Sequence, residues 1–157
     1  MSIAPRLQQY LEAAHADYDL VEHQPTKSSI ETAKAGSVPA EQLAKAVLLD
    51  TDDDYLLAVV PADRRVELSE LRSELGRKPR LASEEQIKSL FNDCDVGAVP
   101  PAGYGIATIV DDALEQQPEV YFEAGDHASL VHMSHDQFSR LMKGARHGQF
   151  SEPALTE

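Results

Sequence analysis

Apolar residues recur at helical spacing near the start of the chain. In PRLQQYLEAAHA, residues 5–16, the positions Leu7, Leu11 and Ala14 fall on one face, and a proline suits the first helical turn. Comparable patterns, with serine and acidic residues in the first turn, predict helices at LSELRSELG (68–76), SEEQIKSLF (83–91) and SHDQFSRLM (134–142). Ser134 is the predicted cap of the last helix.

Two shorter helices are predicted between these. Ser28 and Glu31 have capping-box spacing, in which the serine oxygen accepts a helix amide and the glutamate reaches back to the serine amide, and Gly36 would end that helix. A second short helix is predicted around PAEQLA, residues 39–44.

Strand patterns occupy much of the remaining chain. Two continuous apolar runs, KAVLLD (45–50) and YLLAVVP (55–61), flank the polar turn TDDD and predict a β-hairpin. Continuous rather than alternating hydrophobicity is typical of strands that are covered on both faces. Further strands are predicted at YDLVEH (18–23), RKPRLA (77–82), IATIVDD (106–112), EVYFEAG (119–125) and ASLVHM (128–133).

The length of 157 residues suits a single domain. We expect that domain to span residues 1–143, because the polar tail from Gly144 to Glu157 has little to bury and is predicted to be disordered. No apolar run approaches the roughly 20 residues that span a bilayer, and the first residues show no secretory signal. A soluble, cytoplasmic protein is the expectation.

The chain is acidic, with a net charge of −13 from 27 acidic and 14 basic residues. Such a balance repels nucleic acid and anionic membranes, so DNA and membranes are not expected as partners. A protein that grips only the end of a nucleic acid is less constrained, because a local basic cluster can act against the overall charge. The dense basic stretches, residues 64–65 and 76–80, are either a solvated surface or such a grip.

Few signatures of familiar chemistry are present. The single cysteine, Cys94, excludes an internal disulfide and a cysteine-built zinc site, and we interpret it as a passive thiol. His127, His132 and His135 fall close together, but their spacing matches no standard zinc signature, so no metal or other cofactor is predicted. A GxSxG nucleophile elbow, a P-loop and a dinucleotide fingerprint are absent.

One lysine and one loop are the candidates for function. Lys45 shares a strand face with Val47 and Leu49, so its ammonium must reach solvent, pair with a carboxylate or face a site that receives an anion. The segment DVGAVPPAGYG, residues 95–105, has too many glycines and prolines for a regular element. It is either a plain connection or a loop whose backbone lines a pocket.

Four pieces of the sequence, in order, resemble the YbaK/EbsC family. They are VEHQP after the first helix, AKAVLLD with its lysine, VGAVPPAG with a G-x-x-x-P pattern at Gly97 and Pro101, and VYFEAGDHASLVHMS before the last helix. The family includes the editing domain of bacterial prolyl-tRNA synthetases and free-standing relatives that hydrolyse mischarged aminoacyl-tRNA. The resemblance covers about residues 4–143.

The resemblance implies a mixed α/β fold with a partly barrel-like β-sheet flanked by helices. It implies that Lys45 lies in the pocket and engages the phosphate-bearing 3′ end of the tRNA, and that Gly125 and His127 belong to a late pocket loop. The backbone of the earlier loop would hold the aminoacyl ester; its residues are Gly97, Ala98, Val99, Pro100 and Pro101. Water, helped by a ribose hydroxyl and backbone groups, would attack that ester.

The expected function is therefore a trans-editing hydrolase acting on mischarged aminoacyl-tRNA, which a synthetase could deliver. Ala46 stands where relatives specific for alanyl-tRNA often carry asparagine, so alanine specificity is not supported. A non-catalytic module that recognises an aminoacyl end in the same pocket is the alternative. A metal-dependent hydrolase built on the late histidines is a more distant one.

Overall fold

A computed structural model describes residues 3–26 and 29–154 and, within them, five α-helices and ten strands. The helices are α1 (Pro5–Ala13), α2 (Ser29–Ala35), α3 (Leu68–Leu75), α4 (Glu84–Leu90) and α5 (His135–Leu141). The strands are β1 (Asp19–Glu22), β2 (Leu43–Asp50), β3 (Tyr55–Pro61), β4 (Arg64–Val66), β5 (Arg80–Leu81), β6 (Ala107–Asp111), β7 (Glu119–Glu123), β8 (Ser129–Ser134), β9 (Arg146–Gly148) and β10 (Ser151–Pro153).

Eight strands form one mixed sheet in the order β1-β8-β7-β2-β3-β6-β9, with β5 added beside β2. The predicted hairpin is confirmed: β2 and β3 pair antiparallel at the centre, with Lys45 opposite Val60. The pairs β2–β7 and β3–β6 are parallel. Among the described residues the sheet is open, since β1 and β9 are its ends, and helices flank it. The predicted mixed α/β fold is thus confirmed.

The central strand β2 is covered on both faces, as its continuous hydrophobicity predicted. Ala44 and Leu48 pack into the main core beside α1, α4 and α5. Leu43 packs into a cluster that includes Ala33 of α2, and Leu49 packs into a third cluster beside α3. Lys45 lies on the same face of β2 as Leu43 and Leu49, opposite to Ala44 and Leu48.

Helix boundaries largely follow the predicted caps. Ser83 makes a capping box with Gln86, and the hydroxyl of Ser134 accepts the amide of Gln137. The segment predicted as a helix around PAEQLA holds only a 3-10 turn, Ala40–Gln42, before β2 begins. Ser28, the predicted cap of α2, lies outside the described residues.

The tail differs from its prediction. Residues 146–148 and 151–153 are strands β9 and β10, which pair with β6 and β4 respectively. Phe150 between them is fully buried beside Leu71 and Ile109, and its amide donates to the carboxylate of Asp111 over 3.0 Å. The prediction of disorder from Gly144 is corrected to this extent, because one aromatic side chain finds a buried place that the polar composition did not indicate.

Candidate functional site

Lys45 is a half-buried cation with a distant counter-charge. Burial lowers the pKa of its ammonium, and the charge of Asp63, just after β3, raises it by less. The side chain of Lys45 makes no hydrogen bond and no ion pair with any described residue. One oxygen of Asp63 is buried and also lacks a hydrogen-bond partner there. The ammonium therefore remains able to contact an added anion.

The loop that begins at residue 95 is fixed to the β7–β8 turn. The amide of Asp95 donates to the carbonyl of Gly125 over 2.7 Å, and the amide of Ala98 donates back to Asp95 over 3.0 Å. The ring of His127 makes a second link between the loop and the turn, with Nε2 2.9 Å from the carbonyl oxygen of Val96. Two segments about 30 residues apart in sequence are thus joined by hydrogen bonds into one unit.

Three of the predicted site residues meet in this unit. Gly97 has a left-handed φ of +92° and is exposed; a Cβ there would lie 3.2 Å from Cε1 of His127. Gly125 has a φ of +119°, and a Cβ on it would lie 3.0 Å from that of Ala4. Both positions therefore need glycine, for the backbone conformation and for space. The structure brings Gly97, Gly125 and His127 together.

The other loop residues are buried. Ala98 is inaccessible and Val99 packs in the main core, so neither presents its side chain to solvent. Pro100 is buried as well, and Pro101 borders a cavity of about 320 Å³ on the side of Tyr10 and the end of α5. A ligand at this loop would therefore meet the backbone near Gly97 rather than the side chains of residues 98–101.

A buried acid, Glu123, was missed from the sequence. It ends β7, is 4% exposed and hydrogen-bonds Thr32 of α2. Burial raises the pKa of this carboxyl, while the Thr32 bond and the charges of His127 and His23 lower it, in that order of size. Its Oε1 is buried without a hydrogen-bond partner.

The sheet register relates Glu123 to Lys45. The parallel β2–β7 ladder pairs Leu43 with Tyr121 and Ala44 with Phe122, and the next residues along the two strands are Lys45 and Glu123. Side chains alternate along a strand, so both belong to the face that α2 covers. The sequence signal for Glu123 was only an acid ending an apolar strand, which is usually a solvated position.

The remaining candidates are engaged elsewhere. His132 lies between Asp19 and Glu119, and His135 contacts Glu115. No three histidine, cysteine or acidic residues in the described part of the chain are placed to hold a metal ion. Of the basic stretch, Arg77 pairs with Asp53, and Arg80 pairs with carboxylates in and beside the same turn.

Cys94 is half buried beside Tyr104 and Asp93. Burial is the main reason that the pKa of its thiol rises to about 12.

A separate cavity of about 560 Å³ lies away from all these residues, beside α3 and β10, and is lined mainly by polar and acidic groups such as Glu67 and Glu152.

Comparison with known proteins adds a family and a fold. The model of the aminoacyl-tRNA editing domain family matches residues 23–141. A solved structure described as a "putative trans-editing enzyme for prolyl tRNA synthetase" is 25% identical, with a TM-score of 0.83 over 96% of this chain and 99% of that one. The resemblance stated from the motifs is confirmed. No curated protein matches the chain.

Two further solved structures, below 25% identity, agree in fold. The "hypothetical protein APE2540" is 23% identical, with a TM-score of 0.84 over 94% of this chain and 99% of that one. The other is described as a "putative signal transduction protein" from Marinobacter aquaeolei VT8. It is 22% identical, with a TM-score of 0.73, and the match covers 96% of this chain but 31% of that one. In the described residues no helix has the length and apolarity needed to cross a bilayer.

Proposed function

The chain belongs to the aminoacyl-tRNA editing domain family, and from this membership we propose that it is a trans-editing hydrolase that deacylates mischarged aminoacyl-tRNA. The substrate is the 3′ end of the charged tRNA, and a synthetase could deliver it. The structure described as a trans-editing enzyme, which this chain matches over nearly its whole length, supports action in trans. The reaction is attack of water on the aminoacyl ester, in the cytoplasm.

The observation that carries the proposal is the half-buried ammonium of Lys45, which forms no ion pair with any residue that the structure describes. An ammonium that has lost part of its hydration without gaining an ion pair interacts strongly with an added anion. A phosphate at the 3′ end of tRNA is such an anion. Its contact with Lys45 would offset the burial of the charge and place the neighbouring ester within the site.

The loop linked to His127 supplies the second half of the proposed site. The backbone at Gly97 is exposed and follows a residue whose carbonyl is hydrogen-bonded to His127, so its peptide groups could orient the ester without a side chain. Gly125 and His127 hold this loop in place, and residues 98–101 support it from the core. In this mechanism no protein nucleophile is required, and a ribose hydroxyl of the substrate would assist the attacking water.

Deacylation of alanyl-, cysteinyl-, seryl- and threonyl-tRNA, with proline tRNA among the acceptors, tests this function. Lys45→Ala should abolish hydrolysis of the substrate that the wild type prefers and leave the fold intact. Lys88→Met, which removes an exposed cation from α4, is the control and should keep full activity. Hydrolysis by Lys45→Ala at the wild-type rate would refute the assignment.

A binding module that recognises an aminoacyl end without hydrolysis is the second candidate. The pairing of Arg77 and Arg80 with the acidic β2–β3 turn favours it, because these two cations of the basic stretch are then engaged within the protein rather than available to hold a tRNA. The same panel separates the two candidates. Ester turnover that is lost with Lys45→Ala excludes the binding module, and absence of turnover even with the synthetases added favours it.

A further inference from the structure

Glu123 is a buried acid, and only one of its two carboxylate oxygens has a hydrogen-bond partner among the described residues. One carboxylate oxygen has Thr32 as its partner, while Oε1 is buried with none. Leaving a buried acceptor unsatisfied is costly, and more so when the group is charged. A fold that places a carboxylate in this way at the end of a central strand leaves a polar position for a donor to occupy.

Two histidine rings near Glu123 also offer acceptors. His127 Nε2 faces the carbonyl oxygen of Val96, which only accepts, so Nε2 carries the proton and the neutral ring has its lone pair on Nδ1. His23 Nδ1 likewise faces the carbonyl oxygen of Gln24 over 2.7 Å, which leaves the lone pair on Nε2. Both of these nitrogens are buried and without hydrogen-bond partners.

Three of the five buried side-chain atoms that lack a hydrogen-bond partner among the described residues are thus these acceptors; the other two are an oxygen of Asp63 and the hydroxyl of Ser129. Lys45 does not fill this role, because the carboxylate whose charge raises its pKa is Asp63. The three side chains are not placed to close around a metal ion, which needs ligand distances near 2.0–2.2 Å. A primary ammonium fits the chemistry better, since it carries three N–H donors and bonds at roughly 2.7–2.9 Å.

We propose that Glu123, with His23 and His127 as neighbouring acceptors, receives the α-ammonium group of the aminoacyl ester. This inference rests on the proposed function and adds that the site recognises the α-ammonium group of the substrate. The α-ammonium lies one carbon from the ester carbonyl, and His127 belongs to both regions: its ring contacts Gly97, and its buried Nδ1 is one of the acceptors grouped with Glu123. The site would therefore select esters of α-amino acids over isosteric esters without the amine.

Hydrolysis of matched esters tests the proposal. Alanyl-, seryl- and threonyl-tRNA are each compared with the 2-hydroxyacyl ester obtained from it by deamination, in which a hydroxyl replaces the amine. The wild type should prefer the amino ester by about tenfold or more. Glu123→Gln should lose most of this preference through slower hydrolysis of the amino ester alone. Glu119→Gln, on the same strand but paired with His132, is the matched control and should keep it.

Two results would overturn the proposal. If Glu123→Gln keeps the wild-type preference for the amino ester, the carboxylate does not bind the α-ammonium group. If it slows both esters in the same proportion, Glu123 serves only to anchor α2 through Thr32. A structural role cannot change the ratio of two nearly isosteric substrates, so the ratio is the decisive quantity.

Binding separates this proposal from the proposed function. The probes are the non-hydrolysable 3′-alanylamino-3′-deoxyadenosine and its 2-hydroxypropionyl counterpart, measured by calorimetry. If the wild type hydrolyses no ester but binds the alanyl probe more tightly, and Glu123→Gln removes that difference, the ammonium site stands and the hydrolase assignment fails. If both probes bind equally to the wild type, the ammonium site is refuted whether or not esters are hydrolysed.

Discussion

The imidazole of His127 lies directly against the backbone of Gly97, with Cε1 3.2 Å from the position that a Cβ would occupy there. The same ring bonds the carbonyl of the residue before Gly97. One side chain from the β7–β8 turn thus sets the position of the G-x-x-x-P loop. The absence of a side chain at residue 97 is a condition for this contact.

Gly97→Ala should therefore impair both the loop and the activity. The left-handed φ of +92° disfavours alanine by about 1–2 kcal/mol, and its methyl group would also press on His127. We expect lower stability in urea and a large loss of deacylation. Gly105→Ala is the control: its φ is +69°, but no atom lies within 4 Å of the new Cβ, so it should lose stability without losing activity. Equal activities of the two variants would contradict this role for the contact.

Lys45→Met should separate binding from stability. Burial outweighs the attraction of Asp63 in lowering the pKa of Lys45, so the charged form is a net cost to the fold. Methionine keeps most of the apolar stem and removes the charge. The expected result is an unchanged or higher urea midpoint at pH 7 together with a roughly 10–100-fold loss of deacylation.

A lower urea midpoint for Lys45→Met would instead show that the Lys45–Asp63 attraction is structural. Asp63→Asn then serves as the paired test, because it removes the other charge of that attraction and should lower stability to the same degree.

The ring of His132 should make stability depend on pH. Its Nδ1 lies 2.7 Å from Asp19 and its Nε2 2.6 Å from Glu119, so both nitrogens carry protons. Burial lowers the pKa of this ring. The two carboxylates together raise the pKa by more than burial lowers it, so the net shift is upward. A raised pKa in the folded state gives stability that is fully present below the unfolded pKa, about 6.5, and is lost as pH rises through the folded value.

The measurement is the difference in unfolding free energy between the wild type and His132→Gln at pH 6 and at pH 9. The difference should be larger at pH 6. Gln9→Ala, at an exposed position and without change of any titratable group, is the control and should show no such dependence. A difference that is constant with pH would mean that the charge of the ring does not contribute to the free energy of unfolding.

Cys94 should be nearly inert in the folded protein. With a pKa raised to about 12, mainly by burial, its thiolate fraction at pH 8 is about a thousandfold below that of a free cysteine. Alkylation by iodoacetamide should be correspondingly slow in buffer and fast in urea. Labelling of the native protein at the rate of free cysteine would refute this.

The sequence patterns predicted most elements because their signals are local. The β2–β3 hairpin, the caps at Ser83 and Ser134 and the late strands each depend on neighbours within a few positions. The candidate site was only partly predictable. Gly97 and His127 lie in recognisable motifs, but nothing local shows that the ring of one fills the space above the other.

Glu123 and the tail were missed for a different reason. An acid ending a strand is usually solvated, and only the packing of α2, with Thr32, makes Glu123 a buried group. The tail carries a single aromatic residue, Phe150, and its apolar residues show no periodicity that would indicate a helix or a strand. Its place is created by Leu71 and Ile109, distant in sequence, and such burial cannot be deduced from local composition.

Phe150 makes residues 144–154 part of the folded unit, and its removal should show this. The ring is fully buried with Leu71 and Ile109, so Phe150→Ala should lower the unfolding free energy by about 3–5 kcal/mol. Gln149→Ala, its exposed neighbour, should cost little. Urea denaturation measures both, and a chain ended at residue 143 should lose at least as much as Phe150→Ala, since it also loses β9, β10 and the bond from Phe150 to Asp111. If the shortened chain were as stable as the full one, the domain would end at residue 143 and the two last strands would be dispensable.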